Sequence, residues 1–129
     1  MPKKEVITTD QAPKAIGPYS VGIKAGMFVY TAGQLGIDPK TGDLVSGGIE
    51  AETRQVMQNL QNILLAAGSS MNQVVKTTVF LRDMKDFTVM NAIYGTYFTE
   101  KPPARSTVQV AALPKGGAVE IEAVALLGE

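Results

Sequence analysis

The stretch Ala118-Val119-Glu120-Ile121-Glu122-Ala123-Val124-Ala125-Leu126-Leu127 alternates with a period of two, the spacing of a β-strand. One face carries Val119, Ile121, Ala123, Ala125 and Leu127, and the other carries Glu120, Glu122, Val124 and Leu126. The first face is apolar enough to pack against helices. The second sets two carboxylates beside two aliphatic side chains, which is too apolar to be left entirely to water. A symmetric oligomer that buries this second face is the simplest remedy; an amphipathic sheet with a few exposed apolar residues is the alternative.

Working back from that strand, Ala104 to Val110 is a second one, separated from it by Leu113-Pro114-Lys115-Gly116-Gly117. Before it, Lys101-Pro102-Pro103 stops a helix predicted from about Phe87 to Phe98, with Phe87, Met90, Tyr94 and Tyr97 on one face and Asp83 or Asp86 as its cap. Val74 to Leu81 is rich in β-branched residues and reads as a strand. The clearest helix spans about Ile49 to Ala67. Its apolar stripe is Ile49, Thr53, Val56, Met57, Leu60, Ile63, Leu64 and Ala67. Glu50 and Glu52 favour its first turn and Gly68 is placed to end it. Gly33 to Gly48 reads as a glycine-rich loop with a turn at Asp38-Pro39-Lys40-Thr41-Gly42-Asp43. Ser20 to Lys24 and Met27 to Ala32 form a hairpin around Ala25-Gly26, and Val6-Ile7-Thr8-Thr9 is a first strand. The order β-β-β-α-β-α-β-β gives an α+β layer, with two helices packed on one face of a mixed sheet.

The chain has 129 residues, 12 Lys plus Arg against 12 Asp plus Glu, and no His, Cys or Trp. That length supports one domain over residues 1–129, and 45% hydrophobic with 19% charged residues describes an ordinary globular chain. Without His and Cys there are no Ser-His-Asp or Cys-His systems, no thiolate zinc sites and no disulfides. A metal site would have to be all-carboxylate. Any catalysis must run on carboxylates, Lys, Arg, Tyr, hydroxyls and backbone groups. Zero net charge gives no support to an electrostatic nucleic-acid binder. The amino-terminal residues lack the apolar stretch of a signal peptide, and no apolar run is long enough to span a bilayer, so a cytoplasmic protein is expected.

Arg is then the natural anion anchor. Arg54 and Arg82 read as solvated surface charges, whereas Arg105 follows the stiff Pro102-Pro103-Ala104 at the start of a strand, with Thr107 and Gln109 on its face. It could offer its fork to a carboxylate or phosphate, or form a cross-strand pair with an acid. Glu120 and Glu122 could be the acids of that pair. Equally, one of them, its pKa raised by partial burial, could orient or deprotonate a water. Gly33, before Gln34, could expose a backbone N–H to an anion or simply make a turn. Tyr19, after Gly17-Pro18, could project from a rigid loop or pack. Asn91 could touch a ligand or cap a loop.

Together these features resemble the Rid family, the reactive intermediate deaminases, also called the YjgF family. The resemblance covers essentially the whole chain. It is most specific in Pro103-Ala104-Arg105-Ser106-Thr107-Val108-Gln109-Val110-Ala111-Ala112-Leu113-Pro114 followed by Val119-Glu120-Ile121-Glu122-Ala123. Ala15-Ile16-Gly17-Pro18-Tyr19-Ser20, Thr31-Ala32-Gly33-Gln34, Asp38-Pro39-Lys40-Thr41-Gly42 and Lys76-Thr77-Thr78-Val79-Phe80-Leu81 support it. The resemblance implies a chorismate-mutase-like fold, assembled as a homotrimer with inward-facing sheets and sites in the clefts between subunits. It implies cofactor-free hydrolysis of small 2-imino acids, in equilibrium with enamines, to 2-oxo acids and ammonia. By the same resemblance Arg105 clamps the substrate carboxylate, and backbone groups near Gly33 and Thr107 hold the carboxylate and imine ends of the substrate. Glu120 positions the attacking water, and Tyr19 and Asn91 line the cleft. Thr107 stands where many relatives carry cysteine, so any role for a thiol is lost.

Two other functions compete. Some relatives have been described as translation inhibitors with ribonuclease activity, or as chaperone-like, and such a protein would keep the fold without useful deaminase activity. Chorismate mutase rests on fold analogy alone, and no second cationic anchor for a dianionic ring is evident.

Overall fold

The computed structural model describes residues 3–128; residues 1, 2 and 129 of the expected domain lie outside the described residues. The order is β1 (Lys4–Ile7), β2 (Gly22–Ala25), β3 (Phe28–Thr31), β4 (Gln34–Leu35), α1 (Gly48–Ala66), β5 (Val74–Leu81), α2 (Phe87–Gly95), β6 (Ala104–Gln109) and β7 (Val119–Leu126). They form one mixed sheet ordered β1-β2-β3-β7-β5-β6, in which β5 and β6 run parallel and β4 pairs with β7 beside β3. The α+β layer expected from the pattern is therefore present. Both helices cover the same face of the sheet, where Met57, Leu60 and Ile63 of α1 and Met90 of α2 join Val29, Val79, Ile121 and Ala125 in one core.

Local chemistry explains most boundaries. The hairpin turns through Gly26 at φ 61°, the positive first dihedral of a type II′ turn. At the end of α1, Ser69 N–H donates to the Leu64 carbonyl at 2.8 Å and Gly68 N–H to Leu65 at 3.1 Å, with Gly68 at φ 85°. This is a Schellman stop at the glycine the sequence singled out. In β5 the pairing with β7 slips between Val74 and Lys76. The extra residue, Val75, keeps Val74 and Thr77 both on the helix side.

Four expectations are corrected. The first strand lies two residues earlier than Val6–Thr9, because its partner is Gly22–Ala25 in the hairpin. The loop from Gly33 to Gly48 contains β4, which two residues of pattern could not reveal. The second helix ends at Gly95 instead of Phe98, and Asp83 caps the short turn before it, accepting Lys85 N–H at 2.9 Å, while the side chain of Asp86 caps nothing. Arg82 is exposed, yet it is more than a solvated charge: its Nη1 donates to the Gly116 carbonyl at 2.6 Å and ties down the loop before β7.

The face away from the helices is uncovered in the single chain. Val6, Tyr30 and Val108 are 59%, 45% and 44% exposed there, alongside the partly exposed Val124 and Leu126. Among the described residues no helix is long and apolar enough to cross a membrane.

Candidate active site

The six site residues singled out from the sequence fall into two groups of three. Tyr19, Gly33 and Glu120 line a cleft of about 720 Å³ together with Ile16, Gln34 and Lys115. Asn91, Arg105 and Thr107 stand at β6 and α2. Register explains the separation. Arg105 pairs with Thr77 of β5, which is buried on the helix side, whereas Glu120 pairs with Phe80 on the opposite face. Arg105 and Glu120 of one chain are thus separated by the width of β5 and by the thickness of the sheet.

The cleft is built from loops pinned to α1. Asn59 is fully buried; its Nδ2 donates to the carbonyls of Leu35 at 3.2 Å and Ile37 at 2.9 Å, and its Oδ1 accepts from Gln55. Glu52 turns inward, and its Oε1 accepts the Ala118 N–H at 2.8 Å. A buried carboxylate spent on a backbone donor holds the start of β7 to the helix. Neither role was visible in the sequence, where Asn59 was no candidate and Glu52 read as a first-turn acid. Pro18 and the bond from Tyr19 N–H to the Gly17 carbonyl at 2.8 Å tighten the loop that presents Tyr19, which is half exposed.

Gly33 has a further reason beside the two expected. A Cβ at Gly33 would collide with Glu120 Oε2 and lie 2.9 Å from its Cδ. The glycine therefore leaves the space that the Glu120 carboxyl fills. Burial pushes the Glu120 pKa above the usual glutamate value, and the neighbouring Glu122 charge pushes it the same way. Glu122, one pleat further along the open face, shares a separate depression with Tyr30, Lys76 and Thr78.

In the second group Arg105 makes no ion pair among the described residues, so the cross-strand pair with a glutamate is not formed. Its Nη1 donates to Asn91 Oδ1 at 2.8 Å, and its guanidinium carbon lies 5.5 Å from the Phe87 ring centroid and 4.8 Å from that of Tyr94. Phe87 and Tyr94 read in the sequence only as the apolar stripe of a helix. The same stripe spaces Phe87, Asn91 and Tyr94 at steps of four and three, one face of α2, and so builds a seat for the arginine. Thr107 Oγ1 is buried beside this group with no hydrogen-bond partner among the described residues.

The model of the family described as Endoribonuclease L-PSP matches residues 9–127. The chain belongs to this family, the Rid proteins. Among Rid relatives, a RutC family protein of Pyrococcus horikoshii is 57% identical over 95% of this chain and 97% of its own. A mouse protein named 2-iminobutanoate/2-iminopropanoate deaminase is 53% identical over 97% of this chain and 93% of its own. The crystal structure of RidA from a Psychrobacter species superposes with a TM-score of 0.91 at 49% identity, covering 95% of this chain and 98% of that one.

Proposed function

We propose that this chain is a cofactor-free hydrolase that converts 2-imino acids such as 2-iminobutanoate and 2-iminopropanoate to 2-oxo acids and ammonia. The observation that carries the reading is a seated arginine fork without a carboxylate of its own, in a chain whose other half-site holds a partly buried glutamate. Relatives about half identical over nearly the full length bear that activity in their names.

The chemistry follows from the residues. Arg105 takes the substrate carboxylate through two parallel N–H donors, which places the imine carbon. Water adds to that carbon: a C–O bond forms and the C=N π pair moves to nitrogen. The Glu120 carboxylate takes a proton from the water and returns it to the amine. Glu120 then carries the proton of the new hydroxyl to nitrogen as the C–N bond breaks, releasing the 2-oxo acid and ammonia. A glutamate with a raised pKa is a stronger base for this shuttle than an ordinary one. Gly33 and Thr107 contribute backbone groups, and Tyr19 and Asn91 wall the cleft. A free imine already hydrolyses in water, so positioning and a directed water supply enough help.

One molecule the size of 2-iminobutanoate cannot touch both Arg105 and Glu120 of the same chain. The reading therefore includes a cytoplasmic homotrimer of single-domain subunits, in which the uncovered face of one meets the β6 edge of the next. The uncovered face bearing Val6, Tyr30, Val108, Val124 and Leu126 supports it.

The test is ammonia release from freshly generated 2-iminopropanoate and 2-iminobutanoate. Acceleration over the uncatalysed rate is expected; its absence in the folded protein sinks the reading. The family's endoribonuclease description supplies the rival, which predicts salt-dependent RNA binding and cleavage by the same preparation.

A further inference from the structure

We propose that Tyr94 is a positioning residue that sets the plane of the Arg105 guanidinium through its ring, and that Thr77 locks that ring. The inference rests on the reading that Arg105 receives the substrate carboxylate. It goes beyond that reading by assigning the specificity of the contact to two residues that meet no substrate.

Tyr94 is 5% exposed and its ring is held on three sides. The guanidinium carbon of Arg105 lies 4.8 Å from its centroid, the Phe98 ring centroid lies at 4.7 Å, and its hydroxyl lies 2.6 Å from Thr77 Oγ1. Thr77 is 1% exposed and is the residue directly opposite Arg105 in the parallel β5–β6 ladder. One buried hydrogen bond therefore ties the ring beneath the guanidinium to the strand next to the one that bears the arginine. A ring face attracts a cation but leaves the in-plane N–H donors free. Phe87 lies at 5.5 Å and Asn91 takes one donor at 2.8 Å, which leaves the other side-chain N–H donors of Arg105 without a partner among the described residues and available to a ligand. Burial raises the Tyr94 pKa, against the lowering effect of the Thr77 bond and the Arg105 charge, so the phenol stays protonated at neutral pH.

The experiment compares Tyr94→Leu and Tyr94→Phe with the unaltered protein. Three quantities are read: affinity for the product 2-oxobutanoate, KM and kcat for 2-iminobutanoate, and the Arg105 Nε–H resonance in a nitrogen–proton correlation spectrum. Tyr94→Leu should weaken 2-oxobutanoate binding and raise KM by about tenfold, with a smaller change in kcat. The Arg105 resonance should move towards that of a solvated arginine as the ring current is lost. Tyr94→Phe keeps the ring but breaks the bond to Thr77, so it should lose a smaller part of the affinity than Tyr94→Leu and keep a ring-shifted resonance. A Phe variant equal to the unaltered protein would overturn the part given to Thr77. Unchanged affinity and an unchanged Arg105 resonance in folded Tyr94→Leu would overturn the proposal, as would a Phe variant as impaired as the Leu one. If Tyr94→Leu does not fold, Phe87→Leu at the half-buried second ring carries the same readouts with smaller expected changes. Absent imine hydrolysis in the unaltered protein would count against the deaminase reading alone, because the Arg105 resonance reports the seat without turnover.

Discussion

Arg105 sits against two rings and an amide, a seat shaped for a flat cation. Lysine carries the same charge but is a point cation on a flexible stem, so it cannot fill this seat or present two parallel donors. Arg105→Lys should therefore lower kcat/KM for 2-iminopropanoate by roughly ten- to a hundredfold, the equivalent of about 1.5–3 kcal/mol for a lost charge-assisted contact. Steady-state kinetics on the folded variant checks it, and a wild-type rate would return Arg105 to a structural role.

Glu120 and Glu122 make opposite predictions. Removing the Glu122 charge relieves the repulsion that disfavours ionised Glu120, so Glu122→Gln should shift the acid limb of the kcat/KM profile to lower pH. Glu120→Gln should abolish most turnover, and if Glu122→Gln proved the more damaging, the two glutamates would have exchanged roles. Stability should move the other way. The folded chain raises the Glu120 pKa, so this group's contribution to stability is present below the ordinary glutamate pKa and is lost as pH rises through the raised one. Glu120→Gln should therefore unfold at a higher temperature than the unaltered chain near neutrality. The gap should close at about pH 4, where Glu120 is largely protonated. Thermal unfolding at the two pH values measures both.

At the level of elements, the cleft depends on how closely β4 and its following loop lie against α1. Gly36 is the point of closest approach: a Cβ there would fall 2.7 Å from Glu52 Cα and 2.8 Å from the Glu52 carbonyl oxygen. Helix backbone cannot give way as a side-chain tip can. Gly36→Ala should cost about 1–3 kcal/mol, lower the unfolding temperature by several degrees and reduce activity by displacing the Asn59-pinned wall. An unchanged unfolding midpoint would mean that the β4 segment slides freely over the helix.

For the whole molecule, a shared site makes a prediction that no single-chain site makes. Arg105→Ala and Glu120→Gln chains should each be inactive alone. Unfolded together at equal amounts and refolded, they should recover activity, because about a quarter of the interfaces would unite an intact Arg105 with an intact Glu120 from different chains. Light scattering should give three times the 13.7 kDa chain mass throughout. A monomer mass, or no recovery in verified mixed assemblies, would overturn the shared site.

Periodicity and turn chemistry alone determined the long elements. The α1 stripe and its Gly68 stop, the β-branched β5, and the alternation of β7 are local patterns that burial of one face enforces, and each lies within a residue or two of where the sequence puts it. The absence of His and Cys narrowed the candidates, but each kept a structural alternative, and only the resemblance to the Rid family gave them roles. What no local pattern carries is the face and the neighbour. A parallel β5–β6 ladder turned Arg105 towards the helices, while the β5–β7 register turned Glu120 away from them. The two-residue β4, the inward turn of Glu52 and the use of Phe87 and Tyr94 as a seat depend on contacts between residues far apart in sequence. Register is set by the packing of the entire sheet, so only the tertiary structure could divide the candidate residues between its two faces.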